Sequence, residues 1–477
     1  MVVRGQWVAR AGERVEGLVK DSSMIAVEKH AAAGQTRRGG GALDTEKLAA
    51  IVRKAVREQP VWDLHTHLYP PTFGTPFSGS AKDGDSAGLM LWGIDELLTY
   101  HYLVAEVYRV VPPRVLPYDS FWRMTKREQA DHIWKHLFLE RSPISEACRG
   151  VLTTLERLGL DPSDRDLDGY RRWFAAQDPD AHIDRVMDIA GVSRITMTNA
   201  VFDDNERERW LANPQVADDP RFAGVLRFDP ILRNWPAAAQ RLSEWGYPAN
   251  ETLDDKSVES AKQFLRDWLK RVNAIYCAVS LPPEWRYEGP DDQRLSSQVM
   301  RRVVLPVFAE RDLPFAMMIG SRLRVNPNLR DGGDMVGLAD VASVARLCHE
   351  FPDNRFFCTM LARENQHELA VAARKFGNLM VFGCWWFVNN PSLIDEITRM
   401  RVELLGTSFI PQHSDARVLD QLIYKWDHSR ELIANVLVDK YADVAATGWT
   451  PSEEEIRRDV RLLFHKNMED FLGEGSR

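Results

Sequence analysis

Short, nearly continuous apolar runs recur along the chain after residue 45. Each run has the length of a β-strand, and such runs are typical of parallel strands that are buried on both faces. We find eight of them, at residues 61–68, 194–202, 222–230, 275–283, 313–320, 354–361, 378–387 and 408–416. The pattern therefore predicts eight buried strands.

Amphipathic stretches of helical length separate most of these runs. Examples are SVESAKQFLRDWLKRV (257–272), LADVASVARLCHEF (338–351) and QHELAVAARKF (366–376). Eight strands that alternate with helices predict an α/β fold, a distorted parallel (β/α)8 barrel. An open doubly wound sheet is the alternative, but no GxGxxG motif follows any of the runs.

The longest interval between runs lies after the first one. It contains helical patterns, and we predict a helical insertion over residues 93–180 that covers the mouth of the barrel. Residues 70–92 are rich in Gly, Ser and Pro and are predicted to form a mobile loop. Residues 1–45 lack periodicity and are predicted to be a flexible extension, which leaves residues 46–477 as a single barrel domain.

Composition and charge indicate which classes of binding partner the protein is expected to lack. The 477 residues are 44% hydrophobic and 27% charged, with a net charge of −8, and both signs are interspersed. This balance argues against nucleic acid or an anionic membrane as a partner. No run approaches the ~18 apolar residues of a membrane span, and the N-terminus lacks an apolar signal core, which predicts a cytoplasmic protein. The composition leaves the oligomeric state open, a homo-oligomer included.

Two histidines lie in the first run, VWDLHTHL. Residues i and i+2 of a strand point to the same face, so His65 and His67 are placed as two ligands of one metal ion. The last run, within SFIPQHSDAR, supplies Asp415 as a third ligand and a candidate base. A buried histidine pair and a helix N-cap aspartate are the alternatives. The layout matches the metal sites of amidohydrolase-type barrels and predicts one divalent ion, zinc being preferred.

The middle strands add no further ligand. IYCAVSLPP contains neither His nor Lys, LPFAMMIG has Met317 and Met318, and NRFFCTML has none before Arg363. The site is therefore predicted to be mononuclear.

Two arginines lie at strand ends. A buried arginine is costly unless it is paired, so the partner of Arg227 is predicted to be a substrate carboxylate or Asp229. Arg417 would face an oxyanion or carboxylate, with a surface ion pair as the alternative.

Aromatic residues add candidates at the mouth. Trp385 and Trp386 are adjacent, so one of them should face the mouth if the strand continues. His101 and Tyr102 in the insertion are either site residues, with the Tyr102 hydroxyl as an acid, or packing residues on the rim.

Longer motifs resemble those of uronate isomerases, in a divergent branch of the amidohydrolase superfamily. In chain order they include HTHL, ELLTYHYLVAEV, KREQADHIW, TMLARENQHEL, FGCWWFVNNP and GTSFIPQHSDARVLDQLIYKW, within residues 45–470. The resemblance implies a distorted (β/α)8 barrel. It also implies that the protein interconverts D-glucuronate with D-fructuronate, and D-galacturonate with D-tagaturonate. Met318 stands where the common branch has a histidine.

The resemblance also implies roles for residues that match the family's motifs. The zinc ligands would be His65, His67 and Asp415. The residues that move a proton between C2 and C1 would be Tyr102, Asp415 and Arg417. The substrate contacts would be His101, Arg227 and Trp386.

Two other functions remain open on the residues alone. A mononuclear metal-dependent hydrolase or decarboxylase acting on a small carboxylate would use the same ligands, and would consume water or release CO2. A non-catalytic carbohydrate-binding barrel would tolerate the loss of Asp415.

Overall fold

A curled parallel sheet forms the centre of the computed structural model. The structure describes residues 45–74, 88–213 and 215–473. The predicted extension at 1–45 lies almost wholly outside the described residues, as does most of the predicted loop at 70–92. The sheet follows the order in which its strands are now given: β1 (Val61–Thr66), β2 (Val192–Ala200), β3 (Phe222–Arg227), β4 (Cys277–Leu281), β5 (Phe315–Ile319), β8 (Phe356–Met360) and β9 (Leu379–Val381).

A small hairpin that the sequence did not predict lies outside this sheet. Strands β6 (Ser321–Arg322) and β7 (Met335–Val336) pair antiparallel between β5 and β8. A 3-10 segment, Pro327–Gly333, connects them. The hairpin escaped prediction because its strands are two residues long and show no alternation.

The eighth apolar run closes the sheet without forming a ladder strand. At one side Ile410 N donates to the Val381 carbonyl at 3.1 Å. At the other side Asp415 N donates to the His65 carbonyl at 3.0 Å and His67 N to the Ala416 carbonyl at 2.7 Å. Residues 408–416 therefore join β9 to β1, which confirms the distorted barrel, but the expectation of a regular eighth strand was wrong.

Helices surround the sheet and fill the interval after β1. The first eight are α1 (Thr45–Glu58), α2 (Ile94–Leu98), α3 (His101–Val110), α4 (Tyr118–Arg123), α5 (Lys126–Ile133), α6 (Glu146–Arg157), α7 (Leu167–Ala175) and α8 (Pro179–Ala190). Of these, α2 to α8 lie between β1 and β2 along the chain. A π-helical segment, Trp134–Leu139, continues α5.

The remaining helices follow the later strands. They are α9 (Asp204–Ala212), α10 (Asp229–Arg233), α11 (Trp235–Glu244), α12 (Asp255–Val272), α13 (Leu295–Val299), α14 (Leu305–Glu310), α15 (Val341–Glu350), α16 (Gln366–Ala373), α17 (Pro391–Leu405), α18 (Gln421–Ala446), α19 (Glu453–Arg461) and α20 (Asn467–Leu472). In the part of the chain that the structure describes, no helix is long and apolar enough to cross a membrane.

Local sequence explains why these helices begin where they do. The side chain of Thr125 accepts a hydrogen bond from Glu128 N, and the Glu128 side chain accepts one from Thr125 N, a capping box at the start of α5. Asp254 caps α12 through Ser257 N, and Asn273 ends that helix in the left-handed conformation.

The barrel interior is an apolar cluster contributed by alternate strand residues. Its members include Leu64, Val225, Ala278, Met318 and Phe357, all buried. Met318 is 1% exposed and packs in this core. Strand five therefore contributes a packing residue at this position.

Candidate active site

Three predicted ligands converge where β1 meets residues 408–416, here called the closing segment. His65 Nε2 lies 3.7 Å and His67 Nε2 lies 3.3 Å from the same oxygen, Asp415 Oδ1. The three ligand atoms lie within 4.8 Å of one another. Two ligands placed tetrahedrally around one zinc ion at ~2.1 Å would be about 3.4 Å apart. The donor set therefore fits a divalent metal ion.

The hydrogen bonds of His67 define which of its nitrogens is free. Thr198 Oγ1 donates to the Thr66 carbonyl at 2.9 Å, so at 3.1 Å from His67 Nδ1 it can only accept. Nδ1 must therefore carry the proton, which leaves a lone pair on Nε2, the nitrogen that faces Asp415. Burial lowers the pKa of His67 to about 4, so the imidazole is neutral at pH 7, as a metal ligand requires.

Asp415 is ionised in this environment. Burial alone would raise its pKa, but contact with His67 and the nearby His65 and Lys425 lower that pKa well below its usual value. Its backbone has a φ of 51°, in the left-handed region that few non-glycine residues adopt. Strain of this kind is concentrated at functional sites, where the surrounding structure holds it in place.

A buried carboxylate next to the ligands fixes the segment that carries Asp415. Asp63 Oδ1 accepts a hydrogen bond from Ser414 N at 3.1 Å, and Asp63 Oδ2 accepts one from Trp426 Nε1 at 2.8 Å. Asp63 is fully buried. It therefore ties β1, the closing segment and α18 together beside the ligand cluster.

The three predicted aromatic residues of the mouth form a second group. The ring of His101 lies 4.7 Å from that of Tyr102 and 5.6 Å from that of Trp386, centroid to centroid. All three line one cavity of about 270 Å³. Within the described residues, His101 Nε2, the Tyr102 hydroxyl and Trp386 Nε1 are buried without a hydrogen-bond partner, which leaves three polar atoms available to a ligand.

The two predicted arginines are both paired and do not line that cavity. Arg227 makes a bidentate contact with Asp229, with Nε–Oδ2 at 2.8 Å and Nη2–Oδ1 at 3.0 Å. Arg417 Nη1 lies 3.0 Å from Asp331 Oδ2, on the loop between β6 and β7. Asp331 itself lines the cavity, so this ion pair connects Arg417 to its rim.

Lys425 is a site residue that the sequence did not single out. It lies in the first turns of α18, is 4% exposed, and lines the cavity with His101, Tyr102 and Trp386. Its Nζ donates to the Ser414 carbonyl at 2.6 Å. The available signal was a lysine inside an otherwise apolar stretch, LIYKW, ten positions after Asp415.

Comparison with solved structures found relatives that cover most of the chain. A uronate isomerase from Bacillus halodurans C-125 is 51% identical, with a TM-score of 0.84, over 91% of this chain and 98% of that chain. A glucuronate isomerase from Caulobacter crescentus (16% identity, TM-score 0.70, covering 94% and 98%) shares the fold. So does a uronate isomerase from Thermotoga maritima (14%, 0.71, 89% and 97%).

A scan against family models and a search of curated proteins gave no match. The first of these solved structures is sufficient by itself, because half of the positions are identical over almost the entire length of both chains. The predicted resemblance is confirmed, and the chain belongs to the uronate isomerase family.

Proposed function

We propose that the protein interconverts D-glucuronate with D-fructuronate, and D-galacturonate with D-tagaturonate. The observation that carries the proposal is the His65–His67–Asp415 cluster in a chain of the uronate isomerase family. The cluster offers a carboxylate that can both hold a metal ion and take a proton. The neighbouring arginines suit a substrate that carries a carboxylate of its own.

The two oxygens of Asp415 divide these tasks. Oδ1 faces both histidines, and in the part of the chain that the structure describes no donor lies within hydrogen-bond distance of Oδ2. We assign Oδ1 to the metal ion and Oδ2 to the substrate proton. With its pKa below the usual range, Asp415 is always in the form that accepts a proton at neutral pH.

The reaction then passes through a cis-enediol of the open-chain substrate. Asp415 takes the proton from C2, the electron pair forms the C1–C2 double bond, and O1 gains a proton from Tyr102. The proton held by Asp415 returns to C1 while O2 gives its own proton to the Tyr102 phenolate, which gives the 2-ketone and restores both residues. Arg417 stabilises the negative charge that develops on oxygen.

His101, Arg227 and Trp386 would position the substrate chain. The guanidinium of Arg227, facing the substrate carboxylate, would give orientation as well as affinity. Correct orientation lowers the barrier for proton transfer. A divalent ion, which we propose to be zinc, would be held by His65, His67 and Asp415 and would supply a Lewis acid for substrate oxygens.

The test is direct. Purified protein incubated with D-glucuronate or D-galacturonate should give the corresponding ketouronate by NMR. In D2O the product should gain deuterium at C1, because a proton held by a carboxylate can exchange with solvent. Elemental analysis should find about one tightly bound zinc per chain.

Other outcomes would contradict specific parts of the proposal. Release of CO2 without ketouronate would indicate the decarboxylase alternative. If the substrate carries deuterium at C2, its complete transfer to C1 would indicate a shielded proton or a hydride shift. In the case of a hydride shift, Asp415 would be a ligand only. Two tightly bound metal ions per chain would rule out the mononuclear site.

A further inference from the structure

Lys425 is a buried cation without a paired carboxylate. It is 4% exposed, and among the residues that the structure describes no carboxylate oxygen lies within 4.0 Å of its Nζ. Burying an ammonium is costly unless its hydrogens are taken up by acceptors. A buried, unpaired lysine therefore requires an explanation beyond packing.

The described acceptors satisfy one of its three hydrogens. Lys425 Nζ donates to the Ser414 carbonyl at 2.6 Å. It also lies 5.9 Å from the centroid of the Tyr102 ring, at the outer limit of a cation–π contact. Two N–H groups are left without an acceptor among the described residues.

The position of the side chain shows where those two groups can find acceptors. Lys425 lines the 270 Å³ cavity together with His101, Tyr102 and Trp386. Its charge also reaches Asp415, whose pKa it helps to lower. The ammonium therefore lines the cavity beside the aromatic group, and its bond to the Ser414 carbonyl anchors it to the residue that directly precedes Asp415.

We infer that Lys425 is a further substrate-binding residue, which donates hydrogen bonds to oxygens of the bound hexuronate. The inference rests on the proposed function, since a hydroxyl-rich anion is the ligand whose oxygens would complete the ammonium's hydrogen bonds. Its bond to Ser414 holds the ammonium in place and supports the turn into Asp415.

Binding of D-glucarate separates this inference from the isomerase reaction. D-glucarate is a hexarate with a carboxylate in place of the aldehyde, so it cannot be isomerised. Titration calorimetry with zinc-loaded protein would measure its affinity independently of turnover. An enzyme that binds D-glucarate but makes no ketouronate would contradict the proposed function and leave the contact of Lys425 to be judged on binding alone.

Two variants divide the roles of the side chain. Lys425→Met keeps similar volume and removes every hydrogen bond, while Lys425→Gln keeps a donor for the Ser414 carbonyl and removes the charge. Both should weaken D-glucarate binding and raise the KM for D-glucuronate by roughly 10- to 100-fold, the range for loss of a charge-assisted hydrogen bond. Zinc content and near-ultraviolet circular dichroism should stay at the wild-type level.

Lys440→Met is the matched control, because Lys440 lies on the same helix and its Nζ pairs with Glu403 at 2.8 Å near the surface. It should leave affinity and KM unchanged. Wild-type affinity in a folded, zinc-loaded Lys425→Met or Lys425→Gln protein would overturn the inference. If Lys425→Met does not fold, Lys425→Gln decides: full recovery there would mean that the residue acts only through Ser414.

Discussion

Asp415 is proposed to hold a metal ion and to accept the substrate proton, and it can do both only because its two oxygens lie in different surroundings. Its backbone is left-handed, its Oδ1 faces both histidines, and among the described residues no donor lies within hydrogen-bond distance of its Oδ2. Backbone strain of this kind costs on the order of 1–3 kcal/mol. The contacts of Ser414 with Asp63 and Lys425 on the preceding peptide hold the turn in place.

Asp415→Asn should lower kcat by at least ~100-fold, the lower end of general-base effects. Zinc content should also fall, because an amide is a weaker ligand than a carboxylate. Steady-state kinetics and elemental analysis on the same preparation would measure both. Asp439→Asn, at an exposed carboxylate that pairs with Arg399, is the control. Wild-type kcat in the Asp415 variant would remove the residue from the mechanism.

Arg227→Met should mainly raise the KM for uronates, by ~10-fold or more, because a charge-assisted contact with the carboxylate is lost. The substitution also leaves Asp229 unpaired, and an unpaired buried carboxylate destabilises the fold. The double variant Arg227→Met with Asp229→Asn should recover thermal stability while KM stays high. Recovery of KM together with stability would show that Arg227 serves only the fold.

Spacing and order along the chain were enough to predict that His65, His67 and Asp415 lie together. The two-residue spacing of His65 and His67 fixes their common face, and a late strand end supplies Asp415. Thr198 and Lys425 could not be predicted in the same way, because their roles depend on neighbours that are distant in sequence. Thr198 acts on His67 across β1 and β2, 131 positions away.

At the scale of elements, the closing segment is held by hydrogen bonds to side chains where a regular strand would form hydrogen bonds between backbones. Gln412 Oε1 accepts from Cys384 N at 2.8 Å and from His413 N at 3.0 Å. Pro411 has no N–H to donate. The apolar run correctly predicted an extended segment. Its Pro, Gln, Ser and Asp were a signal that the segment would not pair regularly, and they explain why Asp415 can leave the strand geometry.

The backbone around His101, Tyr102 and Trp386 is also less regular than the sequence pattern indicated. The insertion predicted as helical contains a break near its start, since α2 ends at Leu98 and α3 begins at His101. This break places His101 and Tyr102 in the first turn of α3. Trp386 lines the cavity, but it belongs to a 3-10 turn with a φ of 47° and not to the strand that the sequence analysis assumed.

Gly383→Ala should destabilise the barrel at its closing edge. Gly383 has a φ of 63°, and a Cβ there would lie 1.7 Å from His413 Nδ1. His413 is fully buried, so its ring cannot move away freely. We expect a loss of about 2 kcal/mol or more in the free energy of unfolding, measured by urea denaturation.

Gly377→Ala is the matched control for this change, because nothing lies within 4 Å of the position that its Cβ would take. It should be neutral in the same experiment. Equal stability of the two alanine variants would mean that the contact between Gly383 and His413 does not constrain the closing segment.

At the scale of the whole molecule, the candidate metal site lies where the two ends of the barrel sheet meet. His65 lies in β1, His67 directly follows its last residue, and Asp415 comes from the segment that completes the ring some 350 positions later. The remaining strands are joined to their neighbours by parallel ladders. Alternation of strands and helices predicts the barrel, but not that its seam would coincide with the ligand cluster, because closure depends on the irregular last segment.

Removal of the metal ion should therefore loosen this seam and lower the stability of the entire barrel. A ligand that binds only the folded state stabilises it by about 2.7 kcal/mol at 100 times its Kd, so chelation should lower the Tm by roughly 5 °C. Hydrogen exchange should become faster in residues 61–67 and 408–416 before it does so in β4 and β5. The His65→Ala variant should show no further loss of Tm with chelator. An unchanged Tm and unchanged exchange at the seam would mean that the ion serves the chemistry without holding the barrel closed.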